Sequence, residues 1–244
     1  MPAQKNSHER IDFIPHTDLK IVQSDLLFPF SIDSVLLARF AYVPIQRGLL
    51  ADLCTGNGIV PLLLSRRSKA AIVGIELQEE VACLAERAVQ MNHLTDQITV
   101  YCGDAKQFSD QIGRHQCDLV TVNPPYFSRN AARDMKLNPH LAIARHELTI
   151  TLADVVRTAS LLLKQNGKLA LVHRPQRLVE ILAEMRHEGI EPKRLQFVHP
   201  RQAKAANMVL VEGSKGGRPG LNILPPLFVH KEDGSYAEEV WTDP

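Results

Sequence analysis

The chain is poor in the features that mark several broad protein classes. It has only four cysteines, Cys54, Cys83, Cys102 and Cys117, and no C-x-x-C pair. They mostly sit in apolar runs and read as reduced core thiols, which argues against a disulfide framework and against a zinc site. No apolar run approaches transmembrane length, and Met1–Asn6 lacks the apolar core of a leader. Neither an internal repeat nor a low-complexity block is present. These absences lead to the expectation of a cytoplasmic protein without membrane or metal. The formal net charge is only +1, so no overall push toward nucleic acid exists. What remains is ordinary: 244 residues, 45% hydrophobic, enough for one substantial core.

Two further absences narrow the ligand. Leu49–Leu64 reads as strand, glycine turn and helix. Asp52 ends the strand, Gly56 and Gly58 permit a tight turn, and Pro61 suits a first helical turn. The turn lacks the third glycine of the dinucleotide fingerprint, and it lacks the Lys-Ser/Thr of a phosphate loop. A nucleoside without pyrophosphate therefore fits better than NAD or ATP. Glu76 closes a second strand, Ala71–Ile75, and lies 24 residues after Asp52. An acid at that place grips ribose hydroxyls in nucleotide folds of this topology. A third strand, Ile98–Cys102, ends at Gly103-Asp104-Ala105, with Asp104 placed to accept from an adenine amine. Each acid alone reads as readily as a loop residue or an N-cap. Three in order, each at a strand end, form a pattern.

The strand Cys117–Val122 runs into Asn123-Pro124-Pro125-Tyr126. Two prolines cannot continue a central strand, so the chain leaves the sheet at a carboxyl end, where open α/β sheets bind ligands. The Asn123 amide and the Pro124 carbonyl offer two adjacent acceptors, which suit a planar NH2 group. Tyr126 offers a flat face for a base. A rigid turn with Tyr126 in the core is the plainer alternative.

Together these motifs resemble a class I S-adenosylmethionine-dependent methyltransferase that acts on amines. The resemblance extends to Ser24–Ala38, Ala144–Glu147 and Ala206–Gly213. With these segments the chain resembles the bacterial tRNA1(Val) adenine-N6-methyltransferase family from about Leu19 to Gly217. It implies a Rossmann-like α/β fold. The sheet would be seven-stranded and mostly parallel with an antiparallel last strand. A hairpin-and-helix extension over 1–48 would precede a cofactor-binding domain over 49–244. It implies S-adenosylmethionine held by Asp33, Asp52, Thr55, Gly56, Asn57, Gly58, Glu76, Leu77, Asp104, Ala105 and Asn123. It implies catalysis by Asn123, Pro124, Pro125 and Tyr126, and a monomer or weak homodimer acting on an anticodon-loop adenine of tRNA. A glutamine side-chain amide of a protein, or an amine in rRNA, is the alternative acceptor. A non-catalytic nucleoside- or RNA-binding module is the alternative class.

The coarse layout follows. Residues 1–17 read as loosely ordered, and Leu19–Phe30 as two short strands joined at Gln23-Ser24-Asp25. Helices are expected at Ser34–Tyr42, Glu79–Met91, Thr151–Leu163, with Gly167 near its C-cap, and Val179–Glu188. The last strands are expected at Lys168–Val172, Arg194–His199 and Asn207–Glu212. Phe127–Ala144 reads as a substrate loop. Phe30 and Phe127, bordering motifs, are candidates to line the pocket ahead of Phe28. His146 reads as structural more readily than as a base. Between Lys164 and Arg218 there are eleven basic residues against five acids, whereas Leu50–Ile112 has five against eight. RNA phosphates would then meet Arg129, Arg133, Lys136, Lys193, Arg194, Arg201 and Lys204, unless these simply form a solvated surface. The tail after Leu221 has no role legible in the sequence.

Overall fold

A computed structural model describes residues 8–27, 30–124, 126 and 150–241. The expectations for Phe28, Pro125, Phe127, Arg129, Arg133, Lys136, His146 and the Phe127–Ala144 loop lie outside the described residues.

The apolar runs form strands that alternate strictly between two faces. The chain begins with β1 (Glu9–Phe13) and β2 (Lys20–Ser24), an antiparallel hairpin. Helix α1 (Ile32–Phe40) follows, then β3 (Leu49–Leu53), α2 (Ile59–Arg67), β4 (Ala71–Glu76), α3 (Glu79–Met91) and β5 (Ile98–Cys102). Next come α4 (Phe108–Ile112), β6 (Cys117–Val122), α5 (Leu152–Leu162), β7 (Leu163–His173), α6 (Leu178–His187), β8 (Ile190–His199) and β9 (Met208–Lys215). Two short strands, β10 (Asn222–Ile223) and β11 (Leu227–Phe228), complete the sheet.

Leu50, Ile72, Leu119, Ala170 and Leu210 share one core with α1, α2 and α3, together with Ile21 and Val22 of the hairpin. Their strand neighbours Ala51, Val73, Val120, Leu171 and Val211 share the other core with α5 and α6. Period-2 alternation with both faces buried is what a helix-covered parallel sheet requires.

The strand order is β10-β8-β9-β7-β6-β3-β4-β5, with β11 also on β8. Strands β3 to β8 run parallel, and β9 is antiparallel to both its neighbours β7 and β8. The seven strands from β3 to β9 therefore match the expected sheet and its antiparallel last strand. The tail adds β10 and β11 in parallel pairing with β8, and buries Val229, Ala237 and Val240 in the first core. The chain steps from β3 outward to β4 and β5, then returns to place β6 on the other side of β3. The crevice at that reversal lies over the carboxyl ends of β3 and β6.

Several local expectations change. The hairpin lies upstream of its expected place. Strand β1 reaches into residues expected to be loose, because its polar Glu9, Arg10 and Asp12 hide a strand that β2 pairs along its whole length. Helix α1 starts two residues earlier than expected, at Ile32, and ends at Phe40. Gly167 lies within β7, since α5 passes directly into that strand at Leu163, which pairs with Cys117. Of the cysteines only Cys117 is fully buried; Cys83, on an outer position of α3, and Cys102, on the edge strand β5, are exposed.

Candidate active site

The glycine turn is built around a buried carboxylate. Asp52 of β3 sits directly between Thr121 of β6 and Gly74 of β4 in the sheet register. Both of its oxygens accept short hydrogen bonds, Oδ1 from the Thr121 hydroxyl and Oδ2 from the Thr55 hydroxyl, each at 2.6 Å. Gly74 makes room for this, because a Cβ there would stand 2.9 Å from Thr55 Oγ1. Asp52 is 1% exposed. Burial, against the two hydroxyl bonds and with the charge of Glu76 adding to it, pushes its pKa up to about 7. Asp52 thus clamps the turn onto strands β3 and β6, and its contacts are with protein.

The turn itself is tightly coiled. Cys54, Gly56 and Gly58 have φ of +58°, +58° and +88°. For Cys54 this left-handed backbone is a strained choice that the surrounding bonds must hold. Gly58 begins α2, and a Cβ on it would press to 3.2 Å against Ala85 of α3. Asn57 is buried, and its amide donates to the Val22 carbonyl of β2 at 3.3 Å, so it ties the turn to the hairpin.

Glu76 closes β4 and faces the same turn. Its Oε2 accepts from the Gly56 N–H at 2.9 Å and its Oε1 from the Gln78 N–H at 3.0 Å. Burial raises its pKa, against the pull of those backbone donors. Asp104 accepts from the Lys106 N–H at 3.0 Å and pairs with the Lys106 ammonium at 3.4 Å. Ala105 beside it is buried, while Leu77 remains 41% exposed and Tyr101 40%. A Cβ on Gly56 or Gly103 would meet nothing within 4 Å. Open space therefore lies over each glycine, Gly56 beside Glu76 and Gly103 beside Asp104.

Beyond the switch point, Asn123 leaves β6 and is held by residues far away in sequence. Its Nδ2 donates to Ser34 Oγ at 2.9 Å. Its Oδ1 faces the Tyr126 hydroxyl at 2.7 Å, and the same hydroxyl reaches Asp33 Oδ2 at 2.6 Å. Burial first, then the Asp33 charge, drives the Tyr126 pKa well above its ordinary value, so the phenol keeps its proton. Asp33, expected among the cofactor ligands, is thereby placed on Tyr126. Pro124 is buried.

The Tyr126 ring meets the His173 imidazole at 5.1 Å between centroids, and the Arg174 guanidinium lies over it at 5.1 Å. His173 ends β7 and is fully buried. Its Nδ1 accepts from the Arg174 N–H at 2.8 Å. Burial, then the nearby Arg177, lowers its pKa to about 4, Glu180 opposing and Arg174 adding a little. The imidazole is therefore neutral at pH 7. Sequence reading passed over Ser34, Thr121, His173 and Arg174. For His173 a signal existed: an apolar strand that stops at His-Arg-Pro is the same kind of strand end as Asn-Pro-Pro. Phe30 packs partly buried against the first core.

The basic residues separate into two groups. Arg201 and Lys204 are exposed in the connection between β8 and β9, at the edge that carries the site. Arg174 donates to the Asn207 carbonyl of that connection at 3.0 Å. Lys193 and Arg194 lie in the earlier half of β8. Lys193 donates to the Arg218 carbonyl at 3.0 Å. Arg194 pairs at 3.1 Å with Glu212, whose side chain is 2% exposed, and it covers the Phe40 ring. No group of three or more His, Cys, Asp or Glu suited to a metal occurs among the described residues. No helix among them is long and apolar enough to cross a membrane.

The chain is 28% identical over 181 residues to a curated tRNA1(Val) (adenine(37)-N6)-methyltransferase of Parabacteroides distasonis, covering 74% of each chain. It is 29% identical over 213 residues to the protein of the same name from Aeromonas hydrophila, covering 84% of each. Among solved structures it resembles a predicted O-methyltransferase of Agrobacterium tumefaciens, with a TM-score of 0.66 and 25% identity over 85% of this chain and 93% of that one. Residues 33–188 match the family profile described as the methyltransferase small domain, and with well over half of its length inside that match the chain belongs to the methyltransferase small domain family.

Proposed function

We propose that this methyltransferase moves the methyl group of S-adenosylmethionine to the exocyclic N6 amine of an adenine in tRNA, in the anticodon loop of a valine tRNA. The observation that carries the reading is Asn123, a strand-end amide held at both of its polar atoms beside the switch point of the sheet. The named activity of relatives aligned over most of both chains supports the choice of substrate.

The cofactor fits the residues present. Its sulfonium and ammonium charges are positive, and the open space over Gly56 and Gly103 is bordered by Glu76 and Asp104. Leu77 and Tyr101 give it apolar walls. Glu76 would accept from ribose hydroxyls and Asp104 from the adenine amine, while Asp52 fixes the turn behind them. When bound, S-adenosylmethionine supplies a methyl group already activated by its sulfonium.

The protein's own part is positioning. An adenine N6 is a poor nucleophile because its lone pair is delocalised into the ring. Accepting its two hydrogens, on Asn123 Oδ1 and the Pro124 carbonyl, returns electron density to the nitrogen and fixes its approach. Asn123 Oδ1 has two lone-pair directions, and the phenol engages one of them. The nitrogen gains the methyl and loses one proton, which becomes acidic only on alkylation, so no strong base is needed. Residues 1–48 serve this domain as an extension, Arg201 and Lys204 hold RNA phosphates, and a cytoplasmic setting goes with the substrate.

The test is incubation with total bacterial tRNA and labelled S-adenosylmethionine, followed by nucleoside analysis. N6-methyladenosine is expected. Label in another nucleoside, or in protein glutamine, overturns the proposal.

A further inference from the structure

We propose that Asp33 and Ser34, consecutive residues in the first turn of α1, are positioning residues that orient the Asn123 amide for its grip on the acceptor amine, Ser34 directly and Asp33 through Tyr126. The proposal deepens the amine-methylating reading and rests on it.

An amide has two unlike ends. Only its oxygen can accept from an NH2 group, and its own NH2 would repel the substrate hydrogens. Something must therefore keep the amide from turning. Ser34 Oγ accepts from Asn123 Nδ2 at 2.9 Å, which pins the donor end and points the oxygen away from it. The pin is firm because the next four residues, Val35, Leu36, Leu37 and Ala38, are all buried in the first core.

Asp33 has a different task. The Tyr126 hydroxyl carries one proton and faces two acceptors, Asn123 Oδ1 at 2.7 Å and Asp33 Oδ2 at 2.6 Å. A carboxylate is the stronger acceptor of the two. By drawing the phenolic proton toward itself, Asp33 weakens the claim of Tyr126 on the amide oxygen and leaves that oxygen to the substrate. It also anchors Tyr126, whose ring is braced by His173 and Arg174. Remove Asp33 and the phenol donates wholly to Asn123, competing with the amine. These contacts join residues 89 and 93 positions apart. They make the first turn of α1 part of the catalytic apparatus, where a ligand of the cofactor was expected.

The test compares Ser34→Ala, Asp33→Ala, Asp33→Asn and Tyr126→Phe, each alone and with Asn123→Ala. Single-turnover transfer to an unmodified tRNA transcript and calorimetric affinity for S-adenosylmethionine are the readouts. Ser34→Ala and Asp33→Ala are expected to slow transfer by about 10- to 100-fold with cofactor affinity kept within about twofold. Asp33→Asn, which retains an acceptor oxygen, should recover part of the rate. In the Asn123→Ala background the effects of Asp33 and Ser34 should vanish, because residues acting through one group are not additive. Undiminished effects in that background, or a tenfold loss of cofactor affinity in Asp33→Ala, overturn the positioning role. A wild-type rate in Asn123→Ala alone overturns instead the amine-gripping reading beneath it. A readout independent of activity is the Asn123 side-chain amide pair in the proton–nitrogen spectrum of the free protein, identified by its loss in Asn123→Ala. Both Ser34→Ala and Asp33→Ala should move it; an unmoved pair overturns the network whatever the turnover.

Discussion

The two sides of the switch point are built by different means. On the β3–β4–β5 side the site is held mostly over short and middle distances in sequence: Gly56 meets Glu76 20 residues away and Asn57 meets Val22 35 away. Thr55 meets Asp52 three residues away, Lys106 meets Asp104 two away, and Gln78 meets Glu76 two away. On the β6–β7 side the site is assembled from afar: Asn123 leans on Ser34, 89 residues upstream, and Tyr126 on Asp33, 93 upstream. The halves join where β3 pairs with β6, and there the Thr121 hydroxyl donates to Asp52 across 69 residues. The binding half needs the hairpin and the neighbouring strand β4 to complete its turns. The acceptor half exists only when the whole sheet has closed around α1.

The comparison breaks most sharply at Asn123. Asn123→Ala should lower single-turnover transfer by about 100-fold or more while cofactor affinity stays near wild type; a parallel loss of both would mean that the halves are not separate. Next is Glu76. Glu76→Ala removes the acceptor for Gly56 and Gln78 N–H groups, and cofactor binding should weaken by roughly 1–3 kcal/mol, with Asp104→Ala acting in the same direction. Unchanged affinity in both variants would take the cofactor away from this side.

Gly74 tests the local turn. Gly74→Ala drives a Cβ to 2.9 Å from Thr55 Oγ1, and should cost about 1–3 kcal/mol of stability in a denaturant melt, together with cofactor affinity. Asp52 offers a pH test. Its folded pKa, about 7, stands above the unfolded value of 3.8. The folded state therefore binds more protons between these values, and stability from this group falls as pH rises through that window. Relative to wild type, Asp52→Asn should gain on the order of 1 kcal/mol or more between pH 4 and pH 8. A gap between the two chains that does not change with pH would show Asp52 charged throughout.

The smallest expected effect concerns RNA. Replacing Arg201 and Lys204 by Ala should flatten the salt dependence of tRNA binding by up to two phosphate contacts. Lys193→Ala should leave it unchanged. Arg194→Ala should lower the melting temperature instead, since it strands the buried carboxylate of Glu212. A salt slope altered only by Lys193 and Arg194 would put the RNA on the other end of the sheet.

Legibility followed the same division. The sequence displays the strand ends, the glycine turn and the acids that follow them, because each is a local interruption of an apolar run by a residue type with a fixed backbone or charge consequence. It also displays the continuous apolar runs expected of strands buried on both faces. Strand β1 was missed because its residues are mostly polar and only pairing with β2 makes it a strand. The tail strands were missed because two residues carry no periodicity. Arg194 and Lys193 could not be told from Arg201 and Lys204 by charge; the register that puts Glu212 opposite Arg194 separates them.

By itself the sequence marked strand ends near Asp52, at Glu76 and just before Asn123, because there an apolar run meets a glycine turn, an acid or a pair of prolines. Only the tertiary structure decided what each side chain faces. A hydrogen bond reaches about 3 Å, and nothing in a one-dimensional string reports that α1 lays Asp33 and Ser34 against the end of β6, or that Gly74 opens the space in which Thr55 holds Asp52.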